Sequence, residues 1–145
     1  MKLYTIGFTK STAQHFFNRL RVSGVKRVLD TRANRTSQLA GFSKETDLNF
    51  FLSEIASISY RAEDLLAPDK ALLKAYREKQ IGWDEYARRY LANLSSKSVE
   101  KRFVNDGLLD NSCLLCSEHE PDHCHRRLAA EYLRDVLQGV EIRHL

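Results

Sequence analysis

The chain lacks the long apolar runs, the cysteine framework and the repeats that mark several large classes of protein. No apolar run in its 145 residues approaches the ~18 residues of a membrane span. Residues 1–7 contain no apolar core of the kind that a signal peptide carries. Three cysteines are an odd number, which argues against a secreted disulfide framework. We therefore expect a single cytoplasmic domain spanning residues 1–145, without a membrane segment or internal repeats.

The composition is that of an ordinary globular protein with a mild basic bias. Hydrophobic residues make up 43% and charged residues 29% of a chain long enough to bury one core. The formal net charge of +4 at pH 7 favours an anionic ligand or nucleic acid as partner, although a solvated basic surface gives the same balance. No motif predicts a cofactor, and nothing in the sequence determines an oligomeric state.

Apolar periodicity predicts strands that alternate with helices. Strands are predicted at residues 3–6, 25–30, 58–60, 112–116 and 140–145, and helices at 13–22, 46–55, 69–79, 83–94, 98–105 and 123–137. The first strand, helix and second strand form a βαβ unit, which requires parallel strands. We expect a Rossmann-like three-layer α/β domain with a mostly parallel sheet of about five strands and a helical insertion between strands three and four.

Residues 113–125 hold all three cysteines and three of the five histidines. This segment connects a predicted strand to the last predicted helix, and parallel sheets bind ligands at the carboxyl ends of their strands. Cys116 ends the strand, while Cys124 lies where the helix dipole and His125 favour a thiolate. We expect a reactive thiol at Cys116 or Cys124, with Glu118 as an acid–base candidate. His125 is a second acid–base option and a candidate ligand-binding residue. A buried Cys116 and a capping Cys124 are the structural alternative.

The same segment offers four ligands of the kind that zinc binds, namely Cys113, Cys116, Cys124 and a histidine at 123 or 125. Side chains alternate across a strand, so Cys113 and Cys116 are expected on opposite faces of the sheet. The spacing thus fits zinc whereas the strand prediction opposes it, and we predict no metal. A structural thiol or zinc site in a partner-binding domain remains an alternative.

A second polar cluster follows the second predicted strand. Asp30, at the end of that strand, is an acid–base candidate or a partner for an arginine. Arg32 and Arg35 are suited to bind phosphate or carboxylate through paired hydrogen bonds, with Ser37 as an additional donor. A structural Asp30–Arg32 ion pair with solvated neighbours is the alternative interpretation.

The turn after the first strand is a candidate anion site. Gly7, Thr9 and Ser11 lie where a strand meets a helix start, and the free amides of such a start bind anions. The turn is neither a Walker loop nor Gly-x-Gly-x-x-Gly, so it indicates a nucleotide only weakly. We expect this turn, Arg32 and Arg126 to hold a small anionic or nucleotide-like ligand.

Trp83, Tyr86 and Tyr90 fall on one face of a predicted helix. Such an aromatic stripe is more often part of the core than a platform for stacking bases, and we predict a core position. If the arginines and aromatics instead contact phosphates and bases, the protein is a nucleic-acid-binding or processing module. This is the main alternative to an enzyme.

Taken together, these motifs resemble a family named domain of unknown function 488. The resemblance covers nearly the whole chain, and its most specific part is Leu114-Leu115-Cys116-x-Glu118-x-x-Pro121-x-x-Cys124-His125-Arg126. It implies a Rossmann-like α/β fold and a site but no reaction. The family pattern keeps thiols at the positions of Cys116 and Cys124, whereas an apolar residue is common at the position of Cys113, which disfavours zinc. The chain departs from the pattern at Phe8, where histidine or tyrosine is frequent.

The leading prediction from the sequence is an enzyme in which a thiol or a carboxylate acts on a small anionic or nucleotide-like ligand. The sequence leaves thiol–disulfide, sulfur-transfer and N-glycosidic chemistry open as the reaction of this enzyme.

Overall fold

A computed structural model describes residues 1–37, 39–104 and 107–145 of the chain. One sheet contains five strands, which are β1 (Lys2–Gly7), β2 (Arg27–Asp30), β3 (Ser59–Ala62), β4 (Ser112–Cys116) and β5 (Glu141–His144). Their spatial order is β3-β2-β4-β1-β5, and every neighbouring pair is parallel. The predicted parallel five-stranded sheet is confirmed.

Helices cover both faces of this sheet. They are α1 (Ala13–Ser23), α2 (Glu45–Ala56), α3 (Lys70–Arg77), α4 (Trp83–Ser96) and α5 (His125–Val136). Apolar side chains of α1 and α2 form one core layer, and those of α3, α4 and α5 form the other. The three-layer α/β fold is therefore confirmed. No helix in the described part of the chain combines the length and the apolar character needed to cross a membrane.

Successive residues of the central strands face opposite core layers. In β4, Leu114 packs with α4 and α5, whereas Cys113 and Leu115 pack with α1 and α2. In β1, Leu3 belongs to the core layer of α4 and α5, and Ile6 belongs to the core layer of α1 and α2. Because these strands are buried on both faces, their sequences are continuous apolar runs rather than polar–apolar alternations.

Short-range signals determine the ends of α1 and α3. The Thr12 hydroxyl accepts a hydrogen bond from the His15 amide at 3.1 Å, and Gly24 ends α1 at a φ of 77°. The Asp69 carboxylate accepts from the Ala71 amide at 2.8 Å at the start of α3. Both helices therefore begin at a side chain that accepts a hydrogen bond from an otherwise unpaired backbone amide.

The predicted helical insertion between β3 and β4 contains α3 and α4. The helix predicted at 98–105 is instead a 3₁₀-helix over Val99–Arg102. Ser98 has a φ of 48°, and this left-handed conformation interrupts the α-helical path that α4 follows. Asn105, the predicted end of that helix, lies outside the described residues.

Replacing Leu114 tests whether β4 belongs to the core, because this side chain is fully buried in the central strand. Leu114→Ala removes apolar contacts and leaves a cavity, so we expect the free energy of unfolding in urea to fall by about 2–5 kcal/mol. Val22, which is 84% exposed on α1, provides the control. Val22→Ala should change the same quantity by less than about 0.5 kcal/mol, and equal losses in both variants would contradict this assignment.

Candidate active site

The carboxyl ends of three adjacent strands meet at one edge of the sheet. Gly7 at the end of β1 pairs in register with Cys116 at the end of β4. Asp30 at the end of β2 pairs with Leu115 on the other side of β4. The three sequence clusters therefore come together, as expected for strands that all run in one direction.

Two cysteines approach each other across the loop that joins β4 to α5. Cys116 is the last residue of β4, and Cys124 is the N-cap residue of α5. Their Sγ atoms are in direct contact and their Cα atoms lie 7.8 Å apart. Both side chains are almost completely buried. The structure thus brings together the two thiols that the sequence predicts as reactive.

A buried guanidinium, that of Arg126 in the first turn of α5, lies against both sulfurs. Its Nη1 is 3.0 Å from Cys116 Sγ and 3.8 Å from Cys124 Sγ. The same nitrogen donates to the Glu118 carbonyl oxygen, and Nη2 donates to the His119 carbonyl oxygen at 3.0 Å. Burial lowers the pKa of Arg126 to about 10. None of its hydrogen-bond partners among the described residues is a carboxylate.

Gly7 makes this arrangement sterically possible. A Cβ atom built at position 7 would lie 1.6 Å from the Glu118 carbonyl oxygen and 2.8 Å from Arg126 Nη1. Real Cβ atoms do not approach backbone oxygen so closely, so only glycine lets the loop after β4 pass over the end of β1. The role of Gly7 is therefore close backbone packing beside the sulfurs.

A second buried guanidinium belongs to Arg32 and is held by Asp30. Arg32 Nε donates to Asp30 Oδ1 at 2.9 Å and Nη2 donates to Oδ2 at 2.8 Å. The Tyr60 hydroxyl donates to Asp30 Oδ2 at 2.6 Å, and burial together with this carboxylate raises the pKa of Tyr60. Arg32 also lies over the Phe8 ring, 5.2 Å from its centroid. The third nitrogen, Nη1, is buried and has no partner among the described residues.

A cavity of about 130 Å³ opens beside these groups. Both sulfur-bearing residues, Cys116 and Cys124, line it together with Arg32 and His125. The rest of its wall includes Phe8, Asn34, Ser37, Tyr76, Arg77 and Glu118. Thiols, a partly free guanidinium and aromatic rings therefore face one small space, which is large enough for a ligand of a few heavy atoms.

Comparison with known proteins identifies the family. A family model described as domain of unknown function DUF488 matches residues 12–133. The chain belongs to the DUF488 family. No curated protein and no solved structure matches it. The DUF488 match includes Asp30, Arg32, Cys116 and Cys124, whereas the turn at Gly7 precedes it.

His125 of the DUF488 motif is a neutral histidine in one defined tautomer. Its Nε2 lies 2.8 Å from the Thr31 carbonyl oxygen and 3.0 Å from the Thr31 hydroxyl. Because that hydroxyl donates its proton to the Leu115 carbonyl oxygen at 2.8 Å, Nε2 must be the donor toward Thr31. Burial lowers the pKa of His125 to about 4. The lone pair therefore resides on Nδ1, and the ring is a base or hydrogen-bond acceptor.

Several predicted ligand-binding residues lie outside the cavity. Arg35 pairs with Asp64 at 2.6 Å and with Glu45 at 3.5 Å. The Thr9 hydroxyl donates to the Ser117 carbonyl oxygen at 2.7 Å, and the Ser11 hydroxyl accepts from Arg19 at 3.3 Å. Thr9 therefore holds the loop after β4, whereas Ser11 is bonded by a side chain of α1.

The aromatic stripe of α4 is largely core, as predicted. Tyr86 and Tyr90 are each 1% exposed, and the Tyr90 hydroxyl donates to the Leu66 carbonyl oxygen at 2.7 Å. Trp83 is only partly buried and packs against His123, with ring centroids 5.0 Å apart. Tyr86 also lines the cavity, so one member of the core stripe contributes to the site.

Sequence reasoning did not assign several residues of the cavity wall to the site, among them Phe8, Tyr76 and Arg77. Tyr76 and Arg77 end α3 in the helical insertion, and no spacing in the sequence relates them to the strand ends. His123, considered from the sequence only as a zinc ligand, also lines the cavity. Phe8 directly follows the end of β1, so its position was the most accessible to prediction.

The described residues contain no group of three or more His, Cys, Asp or Glu side chains placed to hold a metal ion. Cys113 is fully buried in the core layer beneath α1 and α2, away from the cavity. Burial raises the pKa of the Cys113 thiol. Three of the four zinc ligands considered from the sequence therefore lie on one side of the sheet and Cys113 on the other.

The buried His125 makes the stability of the fold depend on pH. Its pKa falls from 6.5 to about 4 on folding, so the unfolded chain binds more protons between these values. The full contribution to stability is present above about pH 6.5, and about 3 kcal/mol is lost as the pH falls to about 4. His125→Gln should remove this part of the pH dependence, measured by urea denaturation across the range.

Exposed His15 on α1 serves as the matched control for this measurement. His15→Asn should retain the wild-type dependence of the unfolding free energy on pH. A His125→Gln variant with the same slope as wild type would show that a different group is responsible.

Proposed function

We propose that this DUF488 protein is a thiol-dependent enzyme in which the Cys116 thiolate acts on a small anionic ligand bound in the cavity. The observation that carries the proposal is the contact between the fully buried Arg126 guanidinium and the two sulfurs. Cysteine reacts as the thiolate, so a cation in direct contact with the sulfur favours the nucleophilic form.

Charge balance supports a thiolate at this position. A buried cation without a counter-ion is costly, and carbonyl oxygens satisfy the hydrogen bonds of Arg126 without neutralising its charge. The thiols are the acidic side chains in direct contact with it, and Cys116 is the closer of the two. Cys124 has an additional source of positive potential, because it caps the N-terminus of α5.

Arg32 supports an anionic ligand. Asp30 and Tyr60 hold the guanidinium in place, and its Nη1 remains without a partner among the described residues. A carboxylate, phosphate or sulfonate group in the cavity would accept from this nitrogen, and Arg77 adds positive charge to the same wall. Asp30 is fully occupied by these contacts, so its role is to position Arg32.

Proton transfer falls to other groups. Glu118 is exposed and lines the cavity, so its carboxylate is accessible from both the solvent and the cavity. His125 presents the unprotonated Nδ1 of a buried ring. These two residues are the acid–base candidates for the reaction, with Glu118 on the solvent side.

The same contacts weigh against the nucleic-acid-binding alternative. Arg32 is 4% exposed, and Arg35 is paired with two carboxylates. Binding to a phosphate backbone requires accessible cations and stacking requires accessible rings, whereas Tyr86 and Tyr90 are buried. The arrangement of these side chains therefore agrees better with a thiol-dependent enzyme than with a nucleic-acid-binding module.

Alkylation by iodoacetamide, mapped by mass spectrometry on the reduced protein, tests the thiolate at Cys116. We expect its rate to be nearly constant from about pH 6 to about pH 8, whereas the rate for an ordinary thiol rises with pH in this range. Arg126→Gln should restore the ordinary rise and Arg126→Lys should retain part of the wild-type behaviour, because lysine preserves the charge. An ordinary rise at wild-type Cys116 would refute the thiolate.

The anion site is tested by comparing iodoacetate, which is charged, with neutral iodoacetamide at Cys116. Arg32→Gln should lower the ratio of the two rates about tenfold, since a hydrogen bond to a charged group contributes about 1.5–3 kcal/mol. Arg35→Gln is the matched control, because Arg35 lies outside the cavity. If both variants lower the ratio equally, overall charge rather than a defined site attracts the anion.

A further inference from the structure

The cavity contains a second thiol beside the proposed nucleophile. Cys116 and Cys124 both line it, their sulfurs are in contact, and a single nitrogen of Arg126 lies within 3.0 Å and 3.8 Å of them. Although Cys124 is the N-cap residue of α5, its side chain makes no capping hydrogen bond. The sulfur of Cys124 is therefore not engaged in holding the helix.

A second thiol in this position is useful for only some reactions. If Cys116 carried an acyl, alkyl or glycosyl group, water or another acceptor would complete the reaction and an adjacent thiol would have no required part. If Cys116 carries sulfur, a neighbouring thiolate attacks it readily, as in thiol–disulfide exchange. Two adjacent sulfurs therefore favour a reaction in which Cys116 forms a sulfur–sulfur bond over one in which it forms a sulfur–carbon bond.

The cavity limits what can deliver that sulfur. Its volume is about 130 Å³, and its wall includes the guanidinium groups of Arg77 and of Arg32, whose Nη1 has no partner among the described residues. A small oxyanion with a transferable sulfur fits both the volume and the charge.

We propose that Cys116 accepts a sulfur atom from a small anion carrying a sulfane sulfur, and that Cys124 then releases this sulfur as hydrosulfide. This rests on the proposed thiolate at Cys116 and names its substrate class. Cys124 is the resolving thiol of the pair.

With thiosulfate as the donor, the first step forms a bond between Cys116 Sγ and the outer sulfur. The sulfur–sulfur bond of thiosulfate breaks, and sulfite leaves with the electron pair, so that a persulfide anion remains on Cys116. In the second step the Cys124 thiolate attacks Cys116 Sγ, and the outer sulfur leaves with the electron pair and takes up a proton as hydrosulfide. The two thiolates are oxidised to a disulfide while the sulfane sulfur is reduced.

The two sulfurs already lie in contact, so the pair is placed to close the disulfide. Residues 117–123 join the two cysteines in the sequence. A low-molecular-weight thiol or dithiol, oxidised to its own disulfide, returns the pair to the reduced state for another cycle.

The test is a single turnover of reduced, oxygen-free protein with thiosulfate. Wild type should release one equivalent each of sulfite and hydrosulfide and acquire a Cys116–Cys124 disulfide, identified by peptide mass. Cys124→Ser should release sulfite without hydrosulfide and retain one extra sulfur atom on Cys116. Cys116→Ser should do neither, and Cys113→Ser should behave as wild type, because Cys113 faces the opposite core layer.

Other outcomes separate the two proposals. If Cys116 alkylates as a thiolate but gains no sulfur in wild type or in Cys124→Ser, the sulfur acceptor is refuted and the thiol enzyme stands. If Cys116 shows no thiolate reactivity, both proposals fail. Hydrosulfide release by Cys124→Ser at the wild-type rate would overturn the resolving role of Cys124. Cys124→Ala, with its folding checked by urea denaturation, repeats the measurement without a hydroxyl.

Discussion

The guanidinium of Arg126 connects the groups on which the candidate site depends. It is fully buried, it contacts both sulfurs, and it donates to two carbonyl oxygens of the loop after β4. That loop passes so close to Gly7 that a side chain there would displace it. The hydrogen bonds of Arg126 hold this loop in place. Because a buried cation is costly without negative charge, the same contact is the basis of the proposed thiolate.

Two buried arginines at this edge of the sheet illustrate two uses of the same side chain. Arg32 is neutralised by Asp30, and the pair leaves the terminal nitrogen Nη1 of Arg32 unpartnered among the described residues. Arg126 has sulfurs and carbonyl oxygens as partners instead of a carboxylate. In the proposed function, the first arrangement holds an external anion and the second stabilises a thiolate of the protein itself. Recognition and activation would then belong to separate residues, Arg32 just after β2 and Arg126 on α5.

Much of the fold follows from local patterns in the sequence. The apolar runs of β1, β2 and β4 and the caps at Thr12, Gly24 and Asp69 act over a few residues, so they are visible without any tertiary information. The segment after Ser98 is an exception. Its composition suits an α-helix, but the left-handed backbone at Ser98 separates it from α4 and leaves a 3₁₀-helix.

The sequence by itself determined the parallel α/β class, the meeting of three strand ends and the position of two thiols at a strand end and a helix start. Parallel strands all end at the same edge, so residue order alone brings Gly7, Asp30 and Cys116 together. Only the tertiary structure decided that Arg32 enters the cavity wall while Arg35 pairs with Asp64, and that Arg77 comes from the insertion. These outcomes depend on how helices far apart in sequence pack over the sheet, and strand and helix periodicities carry no information about such contacts.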